Sequence, residues 1–461
     1  LTQIRDNLHA NYQEALFPNE DWLIWEGQSK DDEIRAKREA IQSYMKTKFR
    51  QDASEVVVAQ LLQDYIDYGN CFATVEWVDE SAEDETGRTI RGYVGPRIVR
   101  ISPYDIVFNP TAADFKNTPK ILRSLHTLGD LAKQANKMPE GSVEKQLLTA
   151  ALDKSVYVRQ IVSRMSQGDT LKSDGYQMDG FSSMQQYYQS DVVEVLTFVG
   201  DWYDINDQKL YENSKIVILD RAYVVSNKKN PSWVNVGGGI YHAGWRQRPD
   251  NLYAMGPLDN LVGMQYRIDH LENLKADVFD LVAYPVFKIK GYVEDFNYGP
   301  NARIYVGDDG DVEFMHPDVS ALSADNQIEI LERRMEELAG APREAMGFRT
   351  PGEKTKFEVQ LLDNAASRVF MNKIQHFERV FFEPLLNYAL IVARQNMSAS
   401  DVTRTLDSEI DAVVFTTITR DDITANGILH PVGATEYAHR ANHLQNLMGM
   451  LNSAAYNDPA V

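Results

Sequence analysis

The residues able to do chemistry in this chain are few, and their spacing decides how far each can go. His439 and His443 lie four apart in a helical stretch with Glu436 a turn earlier. Imidazoles at that spacing can share a metal ion, but a site needs a third ligand and a buried face, and no His-Glu-x-x-His pattern is present. A solvated helix face accounts for them. Cys71 sits in an apolar run with no histidine near it in sequence, so it reads as a buried structural thiol rather than a nucleophile. Asp105 and Asn109 suggest a cation site or an acid/base pair, yet the turn chemistry of Asn109-Pro110 explains them sufficiently. No Gly-x-x-x-x-Gly-Lys-Ser/Thr loop occurs, which excludes a P-loop motor, and Gly237-Gly238-Gly239 reads as a joint rather than a dinucleotide cradle. What remains is a cluster of cations, Arg343, Arg349, Lys354 and Lys356. Two readings stand for it: local pairing with Glu344, Glu353 and Glu358, or brief contact with DNA. No enzymatic constellation emerges, and no cofactor or metal is expected.

The elements that would position those cations form an unbroken block from Gly256 to Gln395. A first helix opens at Gly256-Pro257, where a proline is harmless because the first helical N–H has no partner, and runs to Tyr284, where Pro285 stops it. It would be about 40 Å long. Its apolar residues, from Leu258 and Leu261 through Ile268 and Leu271 to Leu281, recur roughly every 3.3 residues, so the stripe sweeps over more of the circumference than one neighbour can bury. Its polar remainder is acidic: Asp269, Glu272, Asp277 and Asp280 against Arg267 and Lys275. Strand signals follow at Val286 to Val293, Arg303 to Val306 and Val312 to Met315, the last two flanking the turn Gly307-Asp308-Asp309-Gly310. A second helix starts near Ser323, with Ile328, Leu331, Met335 and Leu338 on one face and Glu332 and Glu336 elsewhere, and stops at Gly340-Ala341-Pro342. Pro342 to Gly352 is too rich in breakers for regular structure. Thr350 and Glu353 then have capping-box spacing, with Thr355 and Glu358 as a rival start, and a helix on the order of 65 Å is expected out to Gln395. Pro384 inside it would remove the bond to the Val380 carbonyl and kink it.

Composition sets the bounds. The chain has 461 residues, is 43% hydrophobic and carries a net charge of −20. That balance argues against a protein gripping nucleic acid over a broad face, though not against one that surrounds DNA without holding it. A single cysteine allows no intrachain disulfide, and a reducing cytoplasm is the natural compartment. No apolar run reaches membrane-spanning length, and no signal-peptide pattern opens the sequence, so a soluble protein is expected. Beginning at Leu1 and ending at Pro459-Ala460-Val461, the chain reads as trimmed at both ends.

Outside the block, helices are expected at 31–50 and 52–68, the second ending at Gly69, and strands at Cys71 to Trp77, Gly92 to Ile101 and Ser102 to Pro110. Residues 120–165 read as mixed and mainly helical, and Gln167 to Gln189 as an exposed excursion. A β-meander is expected over Val192 to Val199, Lys215 to Leu219 and Arg221 to Ser226, a strand at Ala412 to Thr419 and a last helix at Ala434 to Leu451. The fold class is α+β.

The order helix, β insert, helix, loop, long kinked helix resembles the portal protein (head-to-tail connector) of tailed bacteriophages. The strings Met255-Gly-Pro-Leu-Asp-Asn-Leu261 with Leu271-Glu-Asn-Leu274, Tyr68-Gly-Asn-Cys-Phe72 and Glu383-Pro-Leu-Leu386 carry the likeness, the last in the manner of short-tailed-phage portals. Gly433-Ala-Thr-Glu-Tyr-Ala-His439 is placed like the start of a crown helix but departs from the Gly-Arg-Gly type expected there. The resemblance implies a wing at 1–255, stem helices at 256–285 and 317–340, a clip at 286–316, a channel loop at 341–352, and a long kinked wing helix at 353–397. A wing strand return at 398–420 and a helical crown from 421 complete it. It further implies a ring of typically twelve subunits at one capsid vertex of the virion, assembled in the host cytoplasm. Double-stranded DNA would pass through it transiently, with the terminase large subunit, the major capsid protein and a head-tail adaptor as partners and no membrane. The stem acids Asp269, Glu272, Asp277, Asp280, Glu332 and Glu336 would line the channel, Arg343, Arg349, Lys354 and Lys356 would face DNA, and Lys288, Lys290, Tyr292, Asp308 and Asp309 would make clip contacts. Twelve such chains carry roughly −240, which repels phosphates and favours sliding.

Two other classes fit the composition: a non-phage oligomeric scaffold or adaptor with a long helical arm, and a carboxylate-dependent hydrolase with a helical lid. The second needs a pocket of converging acids that the sequence does not offer.

Overall fold

The computed structural model describes residues 1–18, 22–27, 32–83, 89–90, 92–162, 180, 186–187, 190–230, 238–284, 286–291, 293–294, 305–306, 310–315, 324–339, 371–397, 400–407, 412–419 and 427–433. Helices and strands are mixed, and every strand pairing among these residues is antiparallel. That is the α+β arrangement, since no strand needs the long crossover a parallel pair requires.

In chain order the first elements are α1 (Thr2–Leu16), β1 (Leu23–Gly27), α2 (Asp32–Gln51), α3 (Ser54–Asp67), β2 (Asn70–Asp79), β3 (Ala82–Glu83), β4 (Thr89–Ile90), β5 (Val94–Ile101), β6 (Ile106–Phe108) and β7 (Lys120–Thr127). There follow α4 (Leu128–Lys137), α5 (Val143–Val162), β8 (Val192–Asp204), β9 (Lys209–Leu219), β10 (Tyr223–Lys229), β11 (Ile240–Gly244), β12 (Arg246–Arg248) and β13 (Asn251–Met255). Next are α6 (Val262–Ala283), β14 (Val286–Lys290), β15 (Val293–Glu294), β16 (Tyr305–Val306), β17 (Asp311–Met315) and α7 (Asp325–Ala339). A π-helical segment (Glu378–Phe382) precedes α8 (Glu383–Asn396), and β18 (Ser400–Asp407), β19 (Ala412–Thr419) and β20 (Gly427–Pro431) close the set.

Two compact units divide the chain: one of residues 1–10 and 257–372, the other of 11–256 and 373–461. The larger unit has two sheets at its heart. The three-stranded one, ordered β11-β2-β5, has α3 and α8 against it. Its apolar interior is aromatic: Trp22 stacks on Phe382 at 5.6 Å and meets Phe49 at 4.9 Å, while Tyr65 meets Phe377 at 5.1 Å. The bidentate pair Arg100–Asp64 clips α3 to β5, with bonds of 2.6 and 2.7 Å onto a carboxylate only 3% exposed. The five-stranded sheet, ordered β10-β9-β8-β7-β6, packs Val193, Val195, Leu219 and Val225 against Leu131 and Ala135 of α4 and Leu148 and Ala151 of α5.

Several expectations meet differences here. Residues 120–162 are mixed and mainly helical, as expected: β7, paired with both β6 and β8, comes first and α4 and α5 follow. The helix expected from Gly256-Pro257 begins at Val262: a tight turn comes first, with the Leu261 N–H donating to the Leu258 carbonyl at 2.9 Å. At Pro384 the chain widens before the proline instead of simply losing a bond. Glu383 N–H donates to Glu378 O, five residues back, so Pro384 falls in the opening turn of α8, where a missing N–H is tolerated. Residues 353–370 of the expected long helix, the 434–451 helix and most of the 167–189 excursion lie outside the described residues.

Candidate functional site: the paired helices and their root

Two glycines far apart in sequence need each other. Gly69 ends α3 in the left-handed region (φ +67), as a C-terminal glycine should, and a Cβ there would stand 2.3 Å from the Gly256 nitrogen. A Cβ on Gly256 would in turn lie 2.9 Å from the Ile66 carbonyl oxygen. The next residue, Asn70, fastens the contact. Its Nδ2 donates to the carbonyls of Tyr68 (2.8 Å) and Ala254 (2.9 Å), and its Oδ1 accepts from the Ala254 N–H (2.9 Å). His242 Nε2 completes the set 3.1 Å from the same oxygen, its ring stacked on Phe72 at 4.7 Å. Burial holds the imidazole down at about 3, so it is neutral. The strings Tyr68-Gly-Asn and Met255-Gly-Pro thus meet in one buried polar knot, at the point where the chain leaves the larger unit.

In the smaller unit, α6 buries Ile268 and Leu271, and α7 buries Ile328, Met335 and Ala339. Lys275 of α6 reaches Asp325 at the start of α7 (2.5 Å) and Glu272 (3.4 Å), and the Asp325 hydrogen bond raises its pKa. Between the helices runs a ribbon in which β14 pairs with β17 and β15 with β16. The expected strand Val286 to Val293 is split at Gly291, which has φ +77. Lys288 faces Glu313 across the ribbon at 3.2 Å. Much of the α6 stripe is left bare: Leu274 and Leu281 are 39% and 40% exposed, with Tyr266 and Phe279 more so.

The predicted acids Asp269, Glu272, Asp277, Asp280 and Glu332 are exposed and Glu336 is half-buried; Lys288 and Lys290 are exposed. Tyr292, Asp308 and Asp309, and all four cations Arg343, Arg349, Lys354 and Lys356, lie outside the described residues, as do Glu436, His439 and His443.

The other chemistry-bearing residues lie in the larger unit. Cys71 is fully buried, its thiol pushed up by burial and turned to the Ala243 carbonyl at 3.8 Å. Asn109 Oδ1 accepts from the Thr111 N–H and hydroxyl, a local turn as expected, and Asp105 pairs with Arg123 at 3.3 Å. Sequence reasoning missed a buried acid, Glu194, gripped by Arg123 (2.7 Å) and Arg221 (2.6 Å). Burial pushes that carboxyl up, the two guanidiniums pull it down, and the net shift is downward. Nearby, Asp220 accepts from Ser155 (2.5 Å) and Tyr187 (3.0 Å). Only pairing register could have revealed it, because these residues are scattered from 123 to 221. An open depression of 510 Å³ lined by Glu140, Lys145, Thr149 and Asp153 brings no nucleophile and base together. Among the described residues no group of His, Cys, Asp or Glu is arranged for a metal ion, and no helix is long and apolar enough to cross a membrane. No family model matches the chain, and none of the curated proteins matches it.

Proposed function

We propose that this chain is a subunit of a phage portal: a ring, with twelve copies as the expected number, at one capsid vertex through which double-stranded DNA is packaged and ejected. One observation carries the reading. Two helices joined through a small β ribbon form a unit of their own, and the longer helix keeps much of its apolar stripe bare in the single chain. Such a surface asks for a neighbour. The exposed acids of α6 and α7 suit a channel wall that repels phosphates, and the cations at 343–356 suit sparse contacts with the passing duplex. In this reading the ribbon meets terminase and the head-tail adaptor, the wing meets the major capsid protein, and no chemistry is catalysed by the chain itself.

The test is direct. Purified protein imaged in negative stain, with its mass measured under native conditions, should give closed rings with a central hole. A species that stays dimeric at all concentrations would instead favour a scaffold or adaptor with a helical arm.

A further inference from the structure

The arginines anchored in the larger unit are answered by carboxylates. Arg97 meets Asp52 and Glu80, Arg100 meets Asp64, and Arg123 and Arg221 share Glu194. One group of cations in the same unit is not answered in this way. It gathers on Trp245, which is 3% exposed and fixed by its N–H on the Gly69 carbonyl (2.8 Å) and its Nε1–H on the Tyr12 hydroxyl (3.2 Å). Arg246 Cζ lies over this indole at 5.4 Å and Lys373 Nζ at 4.5 Å, so the two cationic centres are no more than about 10 Å apart. Lys373 also donates to the Trp245 carbonyl. His376 follows Lys373 by three residues in the helical stretch 371–377, which puts both on one side of it. Arg246 is exposed, and Lys373 and His376 are half-buried.

Among the described residues none of these three is ion-paired to a carboxylate, and the charges that reach them are one another. Burial lowers the pKa of Lys373 and of His376, and a neighbouring cation lowers each further, Arg246 in the first case and Lys373 in the second. With 67 acids against 47 bases in the chain, no shortage of counter-charge forces such a gathering. Like charges held together destabilise the chain by itself, and a bound anion relieves them.

We infer that Arg246, Lys373 and His376 form a binding site for a phosphate group. Arg246 supplies a planar fork for two oxygens, Lys373 a point charge directed by its bond to the Trp245 carbonyl, and His376 a ring N–H. A carboxylate, with one charge and two oxygens, leaves part of this set unanswered, whereas a phosphate has charge and oxygens for all three. Donors about 2.8 Å from its oxygens place two cationic centres about 8 Å apart, and the exposed Arg246 side chain is free to swing by the difference. The site lies on the larger unit alone and does not rest on the ring reading. A free phosphate ion and a backbone phosphate of DNA share the chemistry it recognises.

The test is a calorimetric titration of the full chain with inorganic phosphate at constant ionic strength. It compares the wild type with Arg246→Gln, with His376→Gln, and with Lys133→Gln, which removes a positive charge as Arg246→Gln does but from a 79% exposed side chain of α4. The wild type should bind at millimolar phosphate, and the two site variants, with unchanged thermal melts, should each bind about tenfold or more weakly. Lys133→Gln should match the wild type. A short DNA duplex that phosphate displaces, and that both site variants hold less tightly, identifies the source as backbone phosphate. Phosphate binding with which the duplex does not compete identifies a free ion, and either result supports the site. No phosphate binding by the wild type, equal affinity in Arg246→Gln, or a loss that Lys133→Gln shares would overturn it. So would oligomer assembly that both site variants abolish while phosphate goes unbound, since the cations would then belong to a carboxylate of a neighbouring copy. Negative-stain images decide the portal reading separately, whichever way the phosphate titration falls.

Discussion

Acid should destabilise the larger unit through His242 before most carboxylates titrate. The ring is 8% exposed, stacked on Phe72 at 4.7 Å, met at a tilt by Phe115 at 5.0 Å, and hydrogen-bonded to Asn70. Burial lowers its pKa from 6.5 to about 3, whereas the unfolded chain takes up a proton near the ordinary value. Between those values the unfolded state binds more protons. Stability is therefore undiminished above the upper value and falls as pH drops through the window. At about 1.4 kcal/mol per unit, going from pH 7 to pH 5 costs about 2 kcal/mol, and the whole window about 4 to 5. His242→Phe keeps an aromatic ring in the stack and removes the titrating group. Urea midpoints measured at about pH 7.5 and pH 5 should show the wild type losing about 2 kcal/mol more than the variant over that interval. Equal losses in the two proteins would refute the assignment, since every other titrating group is common to both.

Asn70→Ala strips donors or acceptors from Tyr68, Ala254 and His242 at once and should cost about 3 to 5 kcal/mol, read as a fall in thermal midpoint with helix and strand content retained at low temperature. Gly69→Ala combines a left-handed backbone with a Cβ driven onto Gly256, and should cost about 2 to 4 kcal/mol in a denaturant titration. Lys120 is 1% exposed, with Nζ on the carbonyls of Lys116 and Thr118, and burial lowers its pKa to about 8. The unfolded chain then binds more protons from about 8 up to 10.5. Wild-type stability should rise by up to about 3 kcal/mol across that range, a rise that Lys120→Met abolishes in denaturation series at stepped pH.

Much of the fold was legible because local patterns and tertiary demands agree. α2, α3, β2, β5 and the β8–β10 meander all show the periodicity of the element they form, and Gly69 marks the end of α3 with a left-handed conformation that glycine takes at little cost. Elsewhere the deciding contacts are remote. β1 pairs with β20, some four hundred residues away, and β20 itself, Gly-Ile-Leu-His-Pro, carries a breaker at each end, so neither strand announces its partner. α1 does carry a helical stripe, Ile4, Leu8, Tyr12 and Ala15, all buried, set in an otherwise polar segment. The root knot was visible as two strings of residues but not as one site, because nothing in either string says that it touches the other. The alignment of Val107, Ile121, Phe198 and Ile216 across four strands was invisible for a related reason, since it exists only once three registers are known.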